Sequence, residues 1–153
     1  MQREEFTELL TPVIDTVKGS EWDAILETEL NSRFPADGKV VQAIASACHA
    51  AIEDGWMCRH GEAPLKYGRV IKPGDATAGM SVDVVDMTDI AGPRHTHPNG
   101  EVCLTMPVDS SATFDGAGAG WCVNTPGSAH RPTVKGGRAL VLYLLPDGAI
   151  DFG

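Results

Sequence analysis

"GPRHTHPNGEV", residues 92–102, holds two of the chain's five histidines one residue apart and a glutamate four residues after the second. Side chains alternate faces along a strand, so His95 and His97 point the same way if this stretch is extended. Pro98, Asn99 and Gly100 are turn-forming residues that bring the chain back, and Glu101 opens the returning strand opposite the two imidazoles. A further histidine, His130, follows the turn-rich "NTPGSAH" and begins another short apolar run, "HRPTV" at 130–134. Three imidazoles and one carboxylate converging between strands would suit a divalent iron, manganese, zinc, nickel or copper ion with positions left open. The alternative is a set of exposed turn histidines. By composition alone, an HxH with a glutamate three or four places later arises only about 0.02 times per chain.

Around this stretch the chain reads as β-rich. Short runs separated by Gly- and Pro-containing clusters predict strands at 66–72, 79–87, 101–108, 112–115, 120–124, 130–134 and 138–145. Many short strands joined by short loops predict a small antiparallel barrel or double-sheet jelly roll.

The first third is patterned differently. Phe6, Leu9, Leu10, Val13, Ile14 and Val17 recur at three- and four-residue steps ahead of Gly19, with Pro12 as a possible bend. A second run puts Trp22, Ile25, Leu26 and Leu30 before Pro35, and a third carries Val40, Val41, Ile44, Ala47, Cys48, Ala51 and Ile52 before Gly55. The expected fold class is α+β: a helical segment at 1–55 followed by a β-barrel at 56–153, folding as one unit.

Composition narrows the function. The chain has 153 residues, 42% of them hydrophobic, enough for one domain with a real core. A net charge of −9 argues against a nucleic-acid partner, because phosphate binding needs a basic face. Cys48, Cys58, Cys103 and Cys122 form no CxxC pair and read as reduced core thiols. The acidic start "MQREEFTELL" is unlike a secretory signal, and no run approaches the roughly 18 apolar residues of a membrane span. The expectation is a soluble cytoplasmic protein with no membrane partner. Exposed strand edges and an acidic surface fit a homodimer.

"HTHPNGE" followed by "TPGSAH" resembles the two signature segments of the cupin superfamily, in which HxH, a following Glu and a later His bind a metal in a small β-barrel. Val134 stands where the second segment usually ends in Asn. Over nearly the whole chain, "LNSRFP", "GRVIKP", "SVDVVDM", "HPNGE", "GAGWCV" and "PGSAHRPTVKGGRALVLYLLPDGAI" resemble the 4-hydroxylaminobenzoate lyase family of bacterial nitroarene degradation. The resemblance implies conversion of 4-hydroxylaminobenzoate, or a related arylhydroxylamine carboxylate, to 3,4-dihydroxybenzoate and ammonia.

Such a substrate needs a cation for its carboxylate, an apolar slot for its ring and an acid or Lewis acid at the N–O bond. Arg69, Lys72, Arg94, Arg131 and Arg138 are the candidate cations, Arg69, Arg94 and Arg131 foremost. Tyr67, Trp121, Phe114 and Met106 are candidates for the slot. A metal on His95, His97, Glu101 and His130 would polarise the hydroxylamino oxygen, and Glu101 is alternatively a general acid and base. His49 and His60 read as a helix-surface and a turn histidine, and the Gly-rich 115–120 as a hairpin connection. A cupin dioxygenase or isomerase of a small aromatic acid, and a non-catalytic binding cupin, are the rival functions.

Overall fold

In the computed structural model, which describes residues 1–153, three helices precede nine strands. Helix α1 spans Arg3–Val17, α2 Ala24–Arg33 and α3 Lys39–Glu53. The α1 stripe buries Phe6, Leu10, Val13, Ile14 and Val17. In α2, Asp23 caps the N-terminus by accepting from the backbone N–H groups of Ile25 and Leu26 at 3.0 and 3.1 Å. That cap starts the helix after Trp22 and rotates Ile25 outward, leaving it 78% exposed, contrary to its place in the expected stripe.

The strands are β1 (His60–Glu62), β2 (Leu65–Ile71), β3 (Met80–Ala91), β4 (His95–His97), β5 (Glu101–Pro107), β6 (Thr113–Phe114), β7 (Gly120–Asn124), β8 (Ser128–His130) and β9 (Thr133–Pro146). All pairings are antiparallel. One sheet runs β1-β2-β3-β9-β5-β7 with β6 on β9, and β4 pairs with β8 in a separate two-stranded ribbon. The double-sheet expectation holds, but backbone hydrogen bonds do not close the strands into a barrel.

Two strand assignments change. The expected strand at 130–134 divides, because Pro132 has no N–H to pair; β8 ends at His130 and β9 begins at Thr133. Strand β9 then continues through Gly136 and Gly137, whose N–H groups donate to Asp89 Oδ1 at 2.8 and 3.2 Å. Asp89 sits at a register shift in β3 with a φ of 44°, so the glycine pair meets a bulge instead of breaking the strand.

Alternation along β9 divides the interior in two. Leu140, Leu142 and Leu144 join Val82, Val84, Val102 and Leu104 against the buried helix residues in one core. Ala139, Val141 and Tyr143 face the other way, with Met87, Cys103 and Phe114. The helices therefore cover one face of the large sheet, and the opposite face is left for the histidine ribbon. At the end of the sheet, α2 covers β7: Asn31 pairs with both backbone groups of Trp121 at 2.9 Å, and Glu27 Oε1 accepts from Val123 N–H at 2.8 Å.

No helix is long and apolar enough to cross a membrane.

Candidate metal centre

The ribbon is built around His97. Its backbone carbonyl accepts from Gly100 N–H at 3.1 Å and from Gly127 N–H at 2.8 Å, so the PNG and TPG turns close on one atom. Both glycines have positive φ, 85° and 84°. A side chain at Gly100 would also press on Asn124 O at 3.0 Å, so glycine is required there twice over. These turns set His95 directly opposite His130 and place Glu101 at the start of β5.

The three imidazoles meet through Nε2. Each of the separations His95–His97, His97–His130 and His130–His95 is 3.0 Å. Glu101 completes the group, with Oε2 3.3 Å from His97 Nε2 and Oε1 3.8 Å from His130 Nε2. All four ligand atoms lie within 4.8 Å of one another.

Tautomers decide what this triangle is for. His95 Nδ1 donates to the Pro93 carbonyl at 3.0 Å, and His130 Nδ1 meets Asp115 Oδ2 at 2.7 Å. With the Nδ1 protons of His95 and His130 so engaged, the Nε2 atoms of these rings, when neutral, are lone pairs facing each other and His97 Nε2, while the buried His97 Nδ1 has no hydrogen-bond partner. Burial, then the neighbouring His95 and His130, pushes the His97 pKa down to about 3, and burial likewise lowers that of His95. Burial also opposes charge on His130, but the Asp115 hydrogen bond and the Glu101 and Asp115 carboxylates outweigh it and raise its pKa. Converging lone pairs beside a carboxylate repel unless a cation lies between them. Ligands about 2.1 Å from one ion and at right angles are about 3.0 Å apart, which is the observed spacing. The donor set fits a divalent metal ion.

Partners outside the ligand set hold its geometry. Glu101 Oε1 accepts from Cys103 Sγ and Asn124 Nδ2, both at 2.7 Å. Cys103 is therefore buried, as expected of a core thiol, and also touches a ligand. Burial raises the pKa of Glu101, and the Cys103 hydrogen bond offsets part of that effect. Asp115 holds His130 with one oxygen and takes Thr133 N–H with the other at 2.9 Å. The sequence reading missed Asp115; its signal was the Asp-Gly turn at 115–116, where Asp115 has a φ of 50°. Replacing Asp115 with Ala is expected to weaken metal affinity by about 10- to 100-fold without unfolding the protein, as read by competition with a chelator.

A cavity of about 460 Å³ opens beside the cluster, lined by 15 residues that include His95, Glu101, His130, Phe114, Val141 and Tyr143. Tyr67 and Phe152 stand in its wall with 49% and 59% exposure and mark the mouth. Phe152 packs edge-on against His95 at 5.3 Å between ring centroids.

The other proposed substrate contacts fall elsewhere. Trp121 faces the helix side of the sheet, 2% exposed, with its indole N–H donating to the Phe34 carbonyl. Met106 lies in the same core. Arg69 is paired with Asp83 at 2.9 Å and Arg138 with Asp86 at 2.8 Å, so neither charge is free. Arg94, Arg131 and Lys72 are exposed, and no lysine or arginine lines the cavity. His49 and His60 are exposed and also outside it.

Two antiparallel sheets that gather three imidazoles and a carboxylate beside an apolar cavity describe a cupin-type site. The sequence model of the 4-hydroxylaminobenzoate lyase family, PnbB, matches residues 8–152, and the chain belongs to that family. It is 28% identical to a 4-hydroxylaminobenzoate lyase of Pseudomonas putida over 168 residues, covering 99% of this chain and 96% of the other. A second 4-hydroxylaminobenzoate lyase, from Nocardioides sp. (strain LMS-CY), is 27% identical over 150 residues, covering 92% of this chain and 89% of its own. Among solved structures, an RmlC-like cupin protein from Ralstonia eutropha superposes with a TM-score of 0.42 at 18% identity, covering 56% of this chain and 57% of that one.

Proposed function

We propose that this protein is a metal-dependent lyase that converts 4-hydroxylaminobenzoate, or a closely related arylhydroxylamine carboxylate, to 3,4-dihydroxybenzoate and ammonia in nitroaromatic degradation. The observation that carries the reading is the set of three mutually facing Nε2 atoms with Glu101 at the wall of an apolar cavity of about 460 Å³, room enough for a substituted aromatic ring. The family match over residues 8–152 supplies the reaction class. His95, His97, Glu101 and His130 would hold iron, manganese, zinc or nickel. The chemistry such an ion supplies when bound is Lewis acidity toward the hydroxylamino oxygen.

The chain's own residues do the rest. Leu65, Met87, Val141 and Phe114 offer apolar surface to the ring. An unpaired carboxylate buried among them would cost several kcal/mol, so the substrate's carboxylate faces the mouth. Arg94 and Arg131, exposed and next to His95 and His130 in the chain, are the cations proposed to meet it there. Glu101, held on one oxygen by Cys103 and Asn124, keeps the other as ligand or as acid and base. The proposed setting is the cytoplasm, with a homodimer and no membrane or nucleic-acid partner.

Incubation of the purified protein with 4-hydroxylaminobenzoate, with ammonium and 3,4-dihydroxybenzoate measured beside an elemental analysis, tests this reading. Equal amounts of the two products without O₂ uptake are expected. Oxygen consumption in step with turnover would favour a dioxygenase, and binding without any ammonium release would leave a non-catalytic cupin.

A further inference from the structure

We infer that Tyr143 is a catalytic residue of this reaction, its phenol giving the proton that leaves with the hydroxylamine oxygen as the N–O bond breaks. The inference rests on the lyase reading above. Apart from the metal-binding group, the cavity wall has only two side chains able to donate a hydrogen bond, Tyr67 and Tyr143. Tyr67 stands at the mouth, nearly half exposed, with its ring against His60. Tyr143 lies deep, on the central strand β9, directly opposite Asp83 of β3 and Cys103 of β5.

Both neighbours are already engaged. Asp83 accepts from Ser81 at 2.7 Å and from Arg69 at 2.9 Å, and the Cys103 thiol donates to Glu101. The phenol is thus left for whatever enters the cavity. A substrate oxygen entering the cavity gives the phenol an acceptor that neither neighbour provides. Cys103 also fixes which end of the cavity is concerned, since its sulfur is 2.7 Å from Glu101 Oε1 and Tyr143 is the next residue across the sheet on the same face. Burial, then the charges of Asp83 and Glu101, raises the Tyr143 pKa, so the phenol is the resting form and the phenolate it becomes is short-lived, reprotonated in the step that follows.

The step balances without any further reagent. The N–O bond breaks with its electron pair on oxygen, the phenol proton joins that oxygen, and water departs. This leaves an arylnitrenium cation and a phenolate. A water molecule then adds to the ring carbon beside nitrogen and returns its proton to Tyr143. The resulting hydroxy-imine is hydrolysed by a second water to ammonia and the catechol. Nitrogen is reduced and ring carbon oxidised within one molecule, so no external oxidant or reductant is needed.

The test compares Tyr143→Phe with the unaltered enzyme on 4-hydroxylaminobenzoate and on phenylhydroxylamine, which lacks the carboxylate. The expected result is a loss in kcat of about 10²- to 10⁴-fold on both substrates, with KM and metal content little changed. Undiminished kcat would overturn the inference. So would a loss confined to the carboxylate-bearing substrate, which would make Tyr143 an anchor for that group. Placing 3-fluorotyrosine at position 143 retains the hydroxyl and nearly the volume while making the phenol more acidic. A shifted kcat is expected in that variant even if Tyr143→Phe folds poorly, and an unchanged kcat counts against the role. Failure of the unaltered, metal-loaded enzyme to release ammonium from either substrate overturns the lyase reading itself.

Discussion

His97→Ala is expected to abolish both bound metal and ammonium release while leaving a folded protein. The side chain is fully buried and its Nε2 touches three of the other potential ligand atoms, His95 Nε2, His130 Nε2 and Glu101 Oε2, at 3.0, 3.0 and 3.3 Å. Losing it removes a ligand outright, a larger change than the roughly 10- to 100-fold that follows loss of a supporting partner. The turns survive because they close on the His97 backbone carbonyl and not on its ring. Elemental analysis beside the ammonium assay checks the outcome. Full turnover in a metal-free variant would sink the metal-centred mechanism.

Leu142→Ala is the counterpart on the other face of β9. Leu142 is fully buried on the central strand, opposite Val84 and Leu104, in the core shared with the helices. Truncation there should cost about 2–5 kcal/mol, combining lost burial with the cavity left behind. In a chain of this size that corresponds to a Tm lower by on the order of 10 °C. Because the side chain points away from the His95, His97, Glu101 and His130 cluster, the folded fraction should keep whatever metal the unaltered protein binds. Thermal unfolding followed by circular dichroism, with metal measured on the same samples, separates the two effects. An unchanged Tm would mean that the helix layer packs less tightly on the sheet than its burial indicates.

Legibility in the sequence followed the range of the forces involved. The stripe from Phe6 to Val17 gave α1 its bounds because helical periodicity is local, and residues 95, 97 and 101 fell together because one tight turn joins them. Strand β1 was invisible: His, Gly and Glu have no apolar member, and all three are exposed. The course of β9 through two glycines depended on Asp89, 47 residues away along the chain. Charge assignment failed for a similar reason. Arg69 and Arg138 were counted as free cations, yet Asp83 and Asp86 come alongside them only when β2, β3 and β9 pair. Trp121 is a slot candidate in the sequence and Tyr143 is not, because both sit in apolar strands and only the register shows which faces the cavity.

The α2 contacts to β7 bear on how the protein behaves in concentrated solution. The last strand of an open sheet offers a row of unpaired N–H and C=O groups that can recruit a strand from another molecule. Here Asn31 and Glu27 occupy Trp121 and Val123 N–H and the Trp121 carbonyl, so a neighbouring copy finds these docking points already taken. Each chain carries its own barrier to runaway sheet growth at this edge, made of two side chains from a helix packed on the sheet face opposite the histidine cluster.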